Sequence, residues 1–151
     1  MKLRFVWIGK TKVGPIRELV DDYIERIGKF APVEIVELRD RDAVDPQRLI
    51  EKEGEEILAR SGPGYLIALD ERGRELDSVG FAKLIEKQQL AATKQIAFAI
   101  GGRRGLSDAV RAKADFVLAL SRMTLTHDLA RVFLVEQVYR TFAIIHDLPY
   151  R

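Results

Sequence analysis

The sequence predicts one α/β domain built on a parallel sheet, and three observations carry that prediction. Apolar runs of strand length alternate with helix-period stretches in the regular order βαβαβαβαβα. The central runs, Tyr65–Leu69 and Gln95–Ile100, are nearly continuous apolar stretches without alternation, as strands covered on both faces are. Finally, 151 residues at 47% hydrophobic and 32% charged can bury one core, so a single domain over residues 1–151 is expected.

Leu3 to Ile8 is the first strand, closed by Gly9. Pro15 opens a helix whose stripe of Ile16, Leu19, Val20, Tyr23, Ile24 and Ile27 has the spacing of one face, and Gly28 suits its end. Val33 to Leu38 alternates apolar residues with Glu34 and Glu37, as an edge strand with one wet face does. Asp45-Pro46 starts the next helix, with Leu49, Ile50, Ile57 and Leu58 on one side and a Glu-rich outer face. Tyr65 to Asp70 is the third strand, ending in an acid. Residues 79–92 form a helix, and Gln95 to Ile100 is the fourth strand, running straight into Gly101-Gly102-Arg103-Arg104-Gly105-Leu106-Ser107. A short helix over 107–114 has Ser107 as its N-cap. Phe116 to Leu120 is the fifth strand, Ser121 to Thr126 a loop, and a last helix runs from His127 to about Ile145. In that helix Val132 to Val135 are four consecutive apolar residues, which at 100° apiece point nearly all the way round. A helix without a wet side is either sandwiched inside the domain or shared with a second copy, and its place at the end of an open sheet favours a two-fold dimer.

Composition narrows the chemistry. No run approaches the ~20 apolar residues of a membrane span, and Met1 to Trp7 lacks the apolar region of a signal peptide, so a cytoplasmic location is expected. The absence of Cys excludes disulfides, thiolate metal sites and thiol nucleophiles, and two His leave little for a His-rich metal centre. No metal is expected. A net charge of +2 is too even to announce nucleic acid by itself. Its distribution is not even: from residue 76 onward there are 11 basic and 7 acidic side chains, against 14 and 16 before, so the second half is the basic one.

The carboxyl ends of parallel strands lie together, so the loops at Leu69-Asp70, Gly101–Gly105 and Ser121–Thr126 open on one edge and can converge on one ligand. The glycines permit close backbone approach, although a tight strand-to-helix turn explains them equally well. They do not make a phosphate loop, because the Lys-Ser/Thr of a P-loop is missing. The dinucleotide fingerprint belongs after the first strand, where this chain reads Gly9-Lys10-Thr11-Lys12. Without a Gly-x-Ser-x-Gly elbow, nucleophilic hydrolysis has no visible centre. Arg103, Arg104, Arg122, His127, Arg131 and Arg140 bunch in the late loops and last helix, where they could hold an anionic substrate. His127 and Arg131 share a helical face that is either substrate-facing or a solvated edge, and Glu136 with Arg140 reads as a plain surface ion pair.

Taken in order, four late motifs resemble the ribosomal large subunit methyltransferase H family: Ile100-Gly101-Gly102-x-x-Gly105-Leu106-Ser107, Leu120-Ser121-x-Met123-Thr124, His127-x-Leu129-x-Arg131-Val132 and Glu136-Gln137-x-Tyr139-Arg140. Val6-x-Ile8-Gly9-Lys10, Lys52-Glu53-Gly54, Leu69-Asp70 and Pro149-Tyr150 extend the likeness over essentially the whole chain. The resemblance implies a trefoil-knotted α/β methyltransferase of the SPOUT class. It implies a homodimer that uses S-adenosylmethionine to methylate N3 of a pseudouridine in 23S large-subunit ribosomal RNA (helix 69), within the assembled ribosome. By the same resemblance the cofactor touches Leu69, Gly101, Leu120, Ser121, Arg122, Met123, Thr124 and Leu125. Arg131, with His127 nearby, then orients the base or the developing charge, and Tyr150 helps close the site. Lys10, Lys12, Arg103, Arg104 and Arg151 hold RNA phosphates. The tail departs from the family's His-Pro-Tyr-His, reading Leu148-Pro149-Tyr150-Arg151. Thr126 stands where the family has Pro, but either residue begins a helix. The altered tail keeps an alternative open, a non-catalytic ribosome- or RNA-binding protein on the same scaffold, and cofactor binding separates the two.

Overall fold

The computed structural model describes residues 1–42 and 45–150. Along the chain run β1 (Lys2–Ile8), α1 (Pro15–Ile27), β2 (Val33–Leu38), α2 (Pro46–Ser61), β3 (Tyr65–Glu75), α3 (Ser78–Leu90), β4 (Gln95–Ile100), α4 (Asp108–Lys113), β5 (Phe116–Ala119) and α5 (His127–Ile145). Four helices begin on a side chain that satisfies a free backbone N–H: Asp45 accepts from Gln47, Asp77 from Gly80, Ser107 from Val110 and Thr126 from Leu129. α1 begins instead on Pro15, whose fixed φ is already helical.

All five strands are parallel, in the order β2-β1-β4-β3-β5. The connections β1→β2 and β3→β4 step one way along the sheet, while β2→β3 and β4→β5 step the other. Crossovers of constant hand must therefore carry α1 and α3 on one face and α2 and α4 on the opposite face. The core divides accordingly. Leu3, Phe5, Trp7, Ile67 and Phe98 pack with Val20, Ile85 and, from α5, Leu134 and Phe142; Val6, Ile8, Ala97 and Ala99 pack with Ile57 and Val110. Every residue of β4 is buried, as its continuous apolar run predicts.

One expectation needs correction. β3 does not stop at Asp70. After a register shift between Leu69 and Arg74 it continues to Glu75, pairing Arg74 with Leu118 and Glu75 with Ala119. Gly73 makes this possible, since a Cβ there would stand 2.5 Å from the Val117 carbonyl oxygen. Within the apolar run of α5, Leu134 and Val135 are fully buried against α1 and α3, whereas Phe133 is 39% exposed in the single chain. Among the described residues no helix is long and apolar enough to cross a membrane.

Candidate functional site

Three strand-end loops and the first turn of α5 enclose a cavity of about 630 Å³. Leu69 and Asp70 reach it from β3, Ile100 to Leu106 from β4, and Leu120, Ser121, Met123, Thr124 and Leu125 from the loop after β5. Thr126, His127 and Ala130 complete the wall. Leucines and Ile100 give it apolar sides. The glycine loop gives it a backbone rim, folded so tightly that a Cβ on Gly101 would lie 2.6 Å from the Gly105 carbonyl. Gly105 closes that turn with φ +85°, donating its N–H to Gly102 O at 3.0 Å.

The loops are held by ionic clips. Burial alone would raise the Asp70 carboxyl, but hydrogen bonds from Arg72 and the charges of Arg72 and Arg111 outweigh it and hold the group below the usual carboxylate range. Arg111 Nη1 also donates to Leu106 O at 2.6 Å, so one guanidinium ties β3, at its register shift, to the glycine loop. The loop after β5 is fastened to the β3 extension by Thr124 with Glu71 and by Arg122 with Glu75, the latter at 2.7 Å. Arg122 therefore points away from the cavity, with its side chain 89% exposed.

Below His127, one helical turn on, Arg131 is 1% exposed. Its Nη2 donates to Ile8 O at 2.6 Å and its Nη1 to Thr11 Oγ1 at 2.9 Å, while the guanidinium lies 4.9 Å from the Trp7 ring centroid. Glu37 braces the same corner, accepting from Thr11 N at 2.8 Å and Trp7 Nε1 at 3.1 Å. Burial lowers the Arg131 pKa, opposed by Asp128, Glu37 and Asp40, and a guanidinium stays charged through such a shift. The His127 Nδ1 is buried without a hydrogen-bond partner among the described residues.

Tyr150 lies elsewhere. Its hydroxyl is 3.0 Å from the Tyr23 hydroxyl and donates to Glu136 Oε1 at 3.0 Å, with the Arg140 guanidinium 4.6 Å from its ring centroid. Burial, then these hydrogen bonds, push its pKa well above the ordinary tyrosine value. The Glu136–Arg140 pair forms at 2.6 Å, but it is half-buried and serves as the seat of Tyr150, so it is more than a plain surface pair.

The chain matches, from residue 1 to residue 151, the family whose description reads "Predicted SPOUT methyltransferase". It belongs to that family. It is 46% identical to the "Ribosomal RNA large subunit methyltransferase H" of Trichlorobacter lovleyi over 99% of both chains. It is 44% identical to the protein of the same name from Geobacter sulfurreducens, again over 99% of both. Among solved structures, a probable methyltransferase from Bordetella pertussis shares the fold, with a TM-score of 0.57 at 16% identity over 92% of this chain and 95% of that one.

This SPOUT domain thus brings together at one cavity Leu69, Gly101, Leu120, Ser121, Met123, Thr124 and Leu125, with His127, Arg103 and Arg104 at its edge. It places the Arg122, Arg131 and Tyr150 side chains elsewhere, at Glu75, Thr11 and Tyr23. Lys10 and Lys12 are exposed on the β1–α1 loop, either side of buried Thr11, and Arg151 lies outside the described residues. Sequence reasoning passed over Arg111, Thr11 and Glu37, whose partners sit too far along the chain for any spacing to reveal. The Glu-rich outer face expected of α2 does not include Glu53, which α4 and the glycine loop cover and leave 6% exposed. Among the described residues no cluster of three or more His, Cys, Asp or Glu could hold a metal ion.

Proposed function

We propose that this protein methylates N3 of a pseudouridine in large-subunit ribosomal RNA (23S, helix 69), using S-adenosylmethionine and working as a homodimer paired through α5. The observation that carries the reading is the convergence of three separate loops on one cavity with apolar walls and a glycine rim. Full-length relatives named as ribosomal RNA large subunit methyltransferases add the reaction class. The cavity fits an adenosyl group: its volume is that of a ligand pocket, leucines can cover the adenine faces, and a rim where even a Cβ is excluded lets backbone amides and carbonyls reach the ring edge. Leu69, Gly101, and Leu120 to Leu125 would hold it, Arg122 through its backbone.

Bound there, S-adenosylmethionine supplies an electrophilic methyl group on a sulfonium that leaves as a neutral thioether. The protein then has no leaving group to activate, and its task is alignment of the nucleophile. A uracil-type N3 must lose its proton before or during attack. His127, whose side chain lines the cavity wall, is placed to take part in that transfer. Arg131 holds the Ile8–Thr11 corner rigid and sets a positive charge one turn behind His127, favouring an anionic base. Lys10, Lys12, Arg103, Arg104 and Arg151 bind RNA phosphates. Leu129, Phe133, Ile144 and Leu148 leave α5 and the tail with exposed apolar surface that a second copy would cover. The tail of that copy would then deliver Tyr150 to this cavity.

Calorimetric titration with S-adenosylmethionine, ATP and NAD, followed by methyl incorporation into assembled ribosomes and free large-subunit RNA, tests the proposal. S-adenosylmethionine alone should bind, and label should appear on a pseudouridine. Failure to bind it overturns the reading, and binding of RNA without any methyl incorporation leaves a non-catalytic RNA-binding protein in its place.

A further inference from the structure

The Lys52-Glu53-Gly54 stretch of α2 has no part in that mechanism, and it borders a second cavity. A Cβ on Gly54 would stand 2.2 Å from Ser107 Oγ, so glycine is what lets α2 close onto the start of α4. That approach sets Glu53 against the glycine loop, with both carboxylate oxygens 3.2 Å from where a Gly102 Cβ would lie. Glu53 is 6% exposed, and no described residue donates a hydrogen bond to it or forms an ion pair with it. Burial, then Asp40 and Glu56, push its carboxyl above the usual range, with only Arg103 opposing. Its carboxylate faces a cavity of about 500 Å³ that is also lined by Asp40, Arg41, Asp42, Leu49, Arg103 and Arg104. Arg103 and Arg104 line the first cavity as well, so the cavities share a wall.

We propose that the second cavity seats the target nucleotide, with Glu53 accepting the N1–H that pseudouridine has and uridine lacks, and Arg104 holding its phosphate. The proposal rests on the functional reading above. Pseudouridine is joined to its ribose through carbon, so its ring carries two imino N–H groups flanking one carbonyl, whereas uridine keeps only N3–H. To meet the methyl donor the base would reach past Arg103 and Arg104 so that N3 enters the first cavity, and N1–H is then the remaining ring donor, on the adjoining edge. An ionised carboxylate is an acceptor only, and its charge-assisted bond is roughly twice as strong as a neutral one. Uridine in the same place would leave Glu53 buried without a donor, which is how a hydrogen-bonding site rejects an analogue. Among the cations of this wall, Arg41 is taken by Glu56 at 2.7 Å and Arg103 lies 3.6 Å from Asp42. Arg104 pairs with no described carboxylate, which leaves it for a phosphate.

The test measures binding of the full chain, with S-adenosylhomocysteine present, to two hairpin RNAs that differ only in one pseudouridine or uridine. The wild type should prefer pseudouridine by about tenfold. Glu53→Ala should bring the ratio to about one, and Glu53→Gln, which keeps a neutral acceptor, should fall between; S-adenosylhomocysteine affinity should hold in both. A wild-type ratio of one, or a Glu53→Ala ratio equal to wild type in a folded protein, overturns the proposal. If Glu53→Ala fails to fold, a wild-type ratio in Glu53→Gln overturns it. A ratio that depends on Glu53 without any methyl incorporation supports the nucleotide seat and sinks the transferase reading, so the two fail separately.

Discussion

Arg131 keeps its charge with almost no solvent contact, because Ile8 O, Thr11 Oγ1 and the Trp7 ring replace water around it. Arg131→Ala would orphan both oxygens, and lysine cannot reproduce the two-pronged contact. Arg131→Ala should lower methyl transfer by about 100-fold or more while S-adenosylmethionine affinity stays within about twofold. Single-turnover kinetics with parallel calorimetry check this, and unchanged turnover would remove Arg131 from the mechanism. Asp70 gives a second prediction at this scale. Its folded pKa is depressed, so the stability it contributes is fully present above the ordinary aspartate value of about 4 and is lost as pH falls through the folded value. Asp70→Asn should therefore melt below wild type near neutral pH, and the gap in Tm should narrow as pH falls below the ordinary aspartate value. A gap independent of pH would mean that Arg72 and Arg111 do not stabilise the ionised form.

At the scale of elements, α2 closes tightly onto the start of α4 at Gly54. Alanine is worth about 1 kcal/mol more than glycine inside a helix, yet a Cβ at position 54 would meet Ser107 at a distance no real contact shows. Overpacking wins: Gly54→Ala should cost about 1–3 kcal/mol in denaturant unfolding, and a stabilised variant would show that α2 can shift freely. The elements themselves were legible because their signals are local. Asp45, Asp77, Ser107 and Thr126 sit where caps belong, and the apolar runs of β1 and β4 state their burial. The β3 extension was not, since Asp70-Glu71-Arg72-Gly73-Arg74-Glu75 has no apolar alternation and pairs only because Gly73 meets Val117. Nor were the clips of the site. Arg111 to Asp70, Arg131 to Thr11 and Tyr150 to Tyr23 span 41, 120 and 127 residues, beyond any periodicity. The convergence of 69, 101 and 120–125 was legible for a topological reason: parallel strands bring their carboxyl ends to one edge.

For the whole molecule, the proposed role of Tyr150 turns on where the tail holds it. Within the chain, Tyr150 is held by Tyr23 and Glu136, and Glu136 lies nine residues along α5 from His127, about 13 Å of helix rise. The tail is therefore expected to serve a neighbouring copy, reached across the exposed Leu129 and Phe133. Two measurements follow from that geometry. Phe133→Glu places a charge in the proposed contact, and sedimentation at micromolar concentration should change from dimer to monomer; a wild-type monomer would end the dimer reading at once. Composite architecture makes the sharper prediction. His127→Ala and Tyr150→Ala should each be nearly inactive alone, yet mixing them after unfolding and refolding should restore about a quarter of wild-type turnover. Half of the random dimers would then pair unlike chains, and each of those would hold one intact site and one doubly damaged one. If Tyr150 serves its own chain, every site in the mixture carries a defect and no activity returns.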